Sequence, residues 1–212
     1  MLISDIHTHI IPVKAGTGVY CLPFGVTEIP DGQICSVGIH PWNAAEDLGE
    51  GFLWVEKMLL RPEVACVGEV GFDKLRGPLQ NIQETAFVRQ VELSEKYRKP
   101  VIVHSVRSTD ILLSMKRNLH PAMPWVIHGF RGGAGLAKEI LDHGMSVSFG
   151  IRSNPEALRY VGLGRLLAET DEYERIEDVM SCIASAVGIG PDLVADRVRA
   201  NIASFLDAVL AG

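Results

Sequence analysis

Asp5-Ile6-His7-Thr8-His9 places two histidines two residues apart, directly after an apolar start, Met1-Leu2-Ile3. Such a start reads as a short buried strand. On an extended segment residues i and i+2 point the same way, so both imidazoles can face one cavity and share a divalent ion. The spacing alone carries little information, but other polar residues follow the same rule. His40, Glu69, His104, His128 and Asp171 each fall at or just past the end of an apolar, strand-like run. Of the seven histidines only His120 and His143 lie elsewhere, near predicted helix ends. Four histidines with two carboxylates suit two borderline-soft divalent ions better than one, which would leave surplus ligands without partners. A carboxylate such as Glu69 can bridge two ions about 3.5–4 Å apart. Two ions with two carboxylates leave a net positive shell that attracts an anion. Lys74, Arg107, Arg131 and Arg152 follow strand ends closely, and two or three of them at one mouth fit phosphate recognition, because guanidinium matches phosphate oxygens bidentately.

The elements that must position these residues alternate along the chain. Apolar runs at Ile34–His40, Val64–Glu69, Val101–His104, Trp125–His128, Met145–Phe149 and Arg165–Glu169 read as buried strands. Helical spacing follows from about Leu79 (Phe87, Val91, Ser94), at Ile111–Leu119, at Leu136–Leu141, and in two closing helices carrying Ile176, Val179 and Ile183, then Val194, Val198, Phe205 and Val209. Continuous apolar strands alternating with amphipathic helices predict a parallel sheet covered by helices. Seven or eight such units predict an α/β, TIM-like (β/α) barrel, in which the carboxyl ends of the strands converge on one mouth. Val19–Leu22 and Val26–Ile29, flanking Pro23-Phe24-Gly25, read as an irregular hairpin. No linker or second domain interrupts the 212 residues.

Composition narrows the partners. The chain is 47% hydrophobic and 22% charged with a net charge of -6. Ala168 to Gly212 carry nine acids and three bases, while residues 1–167 carry seventeen of each sign. No basic stripe tracks a polyanion, so a nucleic-acid or phosphoester substrate must be held at a site. Cys21, Cys35, Cys66 and Cys182 lack C-x-x-C spacing and are expected as free thiols in a reducing cytoplasm. Asp5 and His7 interrupt any leader-like stretch, and no run of about 18 apolar residues exists, so neither a signal peptide nor a membrane span is expected. Trp42, Trp54 and Trp125 are expected to pack in the core or at the rim, and Gly132-Gly133 to shape a turn.

An ordered series of motifs through most of the chain resembles the TatD family of metal-dependent hydrolases and deoxyribonucleases, within the amidohydrolase-like superfamily. The series is Asp5-Ile6-His7-Thr8-His9, Gly38-Ile39-His40-Pro41-Trp42, Gly68-Glu69-Val70-Gly71-Phe72-Asp73, Gln83 with Phe87 and Gln90, Val103-His104-Ser105, His128-Gly129-Phe130 and Glu169-Thr170-Asp171. The resemblance implies a (β/α) barrel with His7, His9, Glu69 and Asp171 around one ion, and Glu69, His104 and His128 around a second. It also implies that His40 binds the scissile phosphate and that Asp171 orients or deprotonates the attacking water. Departures fall mainly in loops. Residues 10–32 are too few for the helix and further strand usual in the family, so the barrel is expected to be abbreviated or distorted near its first βα unit. Arg107 stands one place later than the common pattern. Glu172-Tyr173-Glu174 replaces a proline-containing loop, and an asparagine-glutamate-proline segment near the carboxyl terminus is missing.

The resulting expectation is a cytoplasmic two-metal hydrolase that cleaves phosphodiester bonds at short or single-stranded ends and uses zinc, manganese or magnesium. Asp171 and Glu69 are its catalytic candidates, and His40, Arg107 and Arg131 its substrate-binding ones. The alternatives are a small-molecule amidohydrolase or phosphoesterase on the same scaffold, and a metal-binding scaffold without catalysis.

Overall fold

The computed structural model describes residues 3–12, 14–173 and 175–207. Met1 and Leu2 of the expected first strand, Glu174 of the acidic rim and Val209 of the last helix lie outside them. Eight strands run parallel in chain order: β1 (Asp5–Thr8), β2 (Gly18–Cys21), β3 (Ile34–Val37), β4 (Val64–Asp73), β5 (Val101–Val106), β6 (Trp125–Ile127), β7 (Ser146–Phe149) and β8 (Leu167–Ala168). Closure comes just past β8, where Thr8 and Asp171 form a parallel bridge. There the His9 N–H donates to the Asp171 carbonyl (2.8 Å) and the Asp171 N–H to the His7 carbonyl (3.0 Å). The TIM-like barrel is therefore present. Every residue of β1, β2, β6 and β8 is buried, as parallel strands covered on both faces require.

Helices cover the barrel from the third crossover onward: α1 (Gly49–Leu59), α2 (Gln80–Tyr97), α3 (Thr109–Leu119), α4 (Ala134–Asp142), α5 (Pro155–Val161), α6 (Ile176–Val187) and α7 (Pro191–Asp207). The five helices read from periodicity are α2, α3, α4, α6 and α7; α1 and α5 add to them. Asn154 starts α5 by accepting from the Glu156 and Ala157 N–H groups (2.9 and 3.4 Å), with Pro155 opening the first turn, a favourable pairing of cap and fixed φ. The face of α2 carrying Phe87 meets Trp125 of β6 and Phe72 of β4, with ring centroids 5.2 and 5.0 Å away. Among the described residues no single helix is long and apolar enough to cross a membrane.

The expected abbreviation falls on helices and spares strands. Among the described residues the crossovers 9–17 and 22–33 contain no helix. A helical crossover needs about a dozen residues or more, and Pro12, Gly16, Pro23, Gly25, Pro30 and Gly32 punctuate these two segments. The expected hairpin is corrected for the same reason. β2 is bonded in parallel to β1 on one side and β3 on the other, so Val26–Ile29 finds no free edge. That segment is a loop, with Val26 exposed and its carbonyl accepting from the Trp54 indole N–H (3.0 Å).

Candidate metal centre

The barrel brings His7, His9, Glu69, His104, His128 and Asp171 to one mouth. His7 points inward from β1 and is fully buried, whereas His9, just past the strand, is 40% exposed. Glu69 lies within β4, His104 within β5, His128 directly after β6, and Asp171 at the barrel closure. Glu69 is the centre of the group. Its Oε1 lies 2.5 Å from both His104 Nδ1 and His128 Nε2. Its Oε2 lies 3.2 Å from His9 Nε2 and 3.5 Å from His7 Nε2. Asp171 Oδ1 faces the same two imidazoles at 3.7 and 3.8 Å. The two oxygens of one carboxylate thus face two different sets of nitrogen donors.

The donor chemistry fits divalent ions. Both ring nitrogens of His7 are buried without a hydrogen-bond partner among the described residues. Orphaned buried groups of this kind are costly, and a cation between His7, His9, Glu69 and Asp171 would satisfy Nε2, the nitrogen that faces the two carboxylates. The ligands are also aimed from behind. His104 Nε2 faces Asp73 Oδ2 at 3.4 Å and His128 Nδ1 faces Glu169 Oε1 at 3.5 Å. With an ion bound, a carboxylate behind each ring would favour a proton on the far nitrogen and free the near nitrogen to ligate.

Burial opposes ionisation of Glu69, but the charge of His128 and hydrogen bonds from His104, His128 and His40 hold its carboxyl well below the usual range. Burial likewise opposes a charge on His128, yet Glu69 and Glu169 on either side raise it well above an ordinary imidazole. His9 is pushed up to about 10 by a hydrogen bond with the Cys21 thiol and by Glu69, against burial. The positive charge drawn onto His9 and His128 offsets the buried carboxylates beside them.

His40 differs from the ligands. Its Nδ1 accepts from the Trp42 N–H at 3.2 Å, so the neutral ring carries its proton on Nε2. Burial lowers its affinity for a second proton, despite Glu69. Nε2–H then points toward Glu69 Oε1 (3.4 Å) and His104 Nδ1 (3.3 Å). A neutral donor at this place suits an oxyanion better than a cation, although His40, Glu69 and His104 are close enough to form a ligand set.

Two cavities open at the mouth. The larger, about 450 Å³, is bounded by the cluster and by Leu22, Pro23, Phe24 and Trp42. The smaller, about 240 Å³, contains Arg131 and Arg152. Arg107 is exposed in a left-handed conformation (φ 53°) and lines neither cavity. Lys74 is paired with Asp110 at 2.9 Å, so it is a loop ion pair rather than a cation of the mouth.

Sequence reasoning did not single out four residues that shape the site. Asp73 accepts from the Trp42 indole N–H (2.7 Å) and from the Leu75 and Arg76 N–H groups (2.7 and 3.0 Å). Glu169 accepts from the Gly129 N–H (2.6 Å) and from the Ser148 hydroxyl. Asp5 accepts from the Thr170 hydroxyl (2.6 Å) and the His7 N–H (3.2 Å), tying β1 to the segment that carries Asp171. Cys21 ends β2 beside His9. Asp73 and Glu169 also sit at or just past strand ends, the signal that marked the ligands.

Residues 26–207 match the family model described as TatD related DNase. The uncharacterized metal-dependent hydrolase YcfH of Escherichia coli (strain K12) is 31% identical over 150 residues, covering 66% of this chain and 56% of that protein. YabD of Bacillus subtilis (strain 168), described in the same words, is 27% identical over 146 residues, 64% of this chain and 57% of that protein. The chain spans little more than half the length of these relatives. The crystal structure of YjjV, a TatD homolog from Escherichia coli, matches with a TM-score of 0.71 at 22% identity, covering 82% of this chain and 76% of that one. A TatD family hydrolase from Entamoeba histolytica matches at 0.69 and 20%, over 82% and 74%. The structural likeness speaks for the barrel and the family model for descent, and with both in hand the chain belongs to the TatD-related DNase family.

Proposed function

We propose that this chain is a metal-dependent hydrolase of phosphodiester bonds, acting on short or single-stranded nucleic-acid ends with two divalent ions. The observation that carries the proposal is the division of Glu69, whose Oε1 faces His104 and His128 while its Oε2 faces His7 and His9. When bound, a pair of ions held this way supplies a hydroxide nucleophile at neutral pH and offsets charge on the phosphoryl group. Asp171, beside His7 and His9, holds the attacking water and takes its proton on a carboxylate oxygen. His40 donates from Nε2–H to a non-bridging phosphoryl oxygen, with the Trp42 N–H keeping that tautomer. Arg131, at the edge of the smaller cavity beside Asp171, pairs with substrate oxygens.

The test is metal analysis of the purified protein, joined to hydrolysis of a thymidine dinucleotide after chelation and return of zinc, manganese or magnesium. Two ions per chain and ion-dependent cleavage are expected. The apolar wall of Leu22, Pro23, Phe24 and Trp42 supports a second reading, a hydrolase of small amides. Turnover of a cyclic amide by loaded protein that leaves every diester intact would decide for it.

A further inference from the structure

The two cavities share Asp171 and Glu172 as a common wall but differ in chemistry. The smaller is formed by the loops after β6, β7 and β8, and it holds two guanidinium groups, Arg131 and Arg152. Neither has an ion-pair partner among the described residues, whereas Arg61, Arg89 and Arg199 are each paired with a neighbouring acid. Three acids border the same cavity, and two of them are engaged elsewhere. Glu169 is turned to Gly129, Ser148 and His128. Asp171 faces His7 and His9. Only Glu172 remains against the two positive charges, both on exposed side chains. At about 240 Å³ the cavity is smaller than the roughly 300 Å³ at which ligand pockets usually begin. It suits one compact anionic group and not a further nucleoside.

We propose that Arg131 and Arg152 form a second phosphate subsite, so that the preferred substrate carries a terminal phosphomonoester on the nucleotide whose linkage is cleaved. The inference rests on the phosphodiesterase reading and deepens it. A phosphomonoester carries about -1.5 to -2 charge at neutral pH, more than the single charge of an internal diester. Two guanidinium groups therefore select a strand end over a strand interior, since fork geometry and charge both match the monoester oxygens.

Binding decides the proposal independently of turnover. Thymidine 3′,5′-bisphosphate and the two thymidine monophosphates are titrated calorimetrically into the metal-loaded protein and into Arg131→Ala/Arg152→Ala. The bisphosphate is expected to bind wild type at least ~10-fold more tightly than either monophosphate, and the double variant to lose that advantage. Arg131→Lys/Arg152→Lys keeps part of it, because charge survives without the fork. A bisphosphate no tighter than the monophosphates, or an advantage that persists in the double alanine variant, overturns the subsite. Hydrolysis of a thymidine dinucleotide with a 5′-phosphate, a 3′-phosphate or neither then assigns the end. One phosphorylated isomer is expected to show a lower KM at similar kcat. Equal KM values for all three overturn the proposal. Should no dinucleotide be cleaved while the bisphosphate preference stands, the phosphodiesterase reading fails and the subsite does not.

Discussion

Glu69 shows why one residue can decide this site. A carboxylate that is only 4% exposed should resist ionisation, yet the charge of His128 and hydrogen bonds from His104, His128 and His40 keep it ionised. Removing it leaves those imidazoles with no common counter-charge. Glu69→Ala is expected to abolish hydrolysis and to lower the retention of both ions, measured by metal analysis after gel filtration. One ion at full occupancy with wild-type turnover in that variant would refute the bridging role. Glu69→Gln keeps the shape but not the charge, so it should reduce turnover far more than thermal stability. Asp171 carries a separate expectation. Asp171→Asn retains fold and much of the metal but removes the proton acceptor, and kcat in metal-replete protein should fall by roughly 10²-fold or more. Unchanged turnover would transfer the proton to another group. The six candidate ligands were legible because each polar residue ends an apolar run, and strand ends meet at the mouth of a barrel. The donor role of His40 had only family resemblance behind it, because its tautomer depends on the Trp42 N–H, set by a turn that sequence spacing does not specify. The four arginine and lysine candidates were the least legible. Their side chains are long, and position after a strand does not say whether they reach the mouth, as with Arg131 and Arg152, or an outer loop, as with Lys74.

At the scale of elements, α2 does more than cover the barrel. Two glutamines on its buried face reach strand ends that carry site residues. Gln90 accepts from the Ile39 N–H (2.6 Å) and donates to the Ile39 carbonyl (3.2 Å), fixing the backbone immediately before His40. Gln83 does the same for Asp73, at 2.8 and 3.0 Å. Gln90→Ala leaves a buried N–H and C=O unpaired, an expected cost of about 1–3 kcal/mol. In a chain of this size the melting temperature should fall by about 2–4 °C per kcal/mol. KM for a diester should rise while metal content holds, since His40 moves and the ligands do not. An unchanged melting temperature would mean that water replaces the amide. The periodic helices were legible because their apolar stripes face a continuous core. The first two crossovers were only half legible: the want of a helix followed from their shortness, while the further strand expected to be lost with it is present as β2. Val19–Leu22 marks the place of β2, but its parallel ladders to β1 and β3 are contacts that no local pattern reveals. The apparent hairpin partner Val26–Ile29 has suitable β-branched residues, and tertiary pairing overrode that propensity.

The whole molecule sets what can approach this mouth. Residues 1–167 are charge-balanced and the remainder is acidic, so the composition supplies no basic excess to track a long polyanion. Acids follow Asp171 at the rim, with Glu172 exposed between the two cavities. The helix-free crossovers 9–17 and 22–33 also leave less wall on the side of His9 to support a long substrate. Under the proposed function a strand that enters would be held at the metal centre and by few cations beyond it, so few counterions would be released. For single strands the slope of log affinity against log salt is about -0.7 per phosphate contact; two or three contacts therefore give a slope of about -1.5 to -2. A dinucleotide, a single-stranded oligomer and the matching duplex, each cleaved at two salt concentrations, provide the measurement. The expected order is comparable rates for the dinucleotide and the single-strand end, a slower duplex, and weak salt dependence throughout. A duplex cleaved fastest with a steep salt slope would require a basic groove that the charge balance of one chain does not supply, and would point to an assembly of several chains as the working unit.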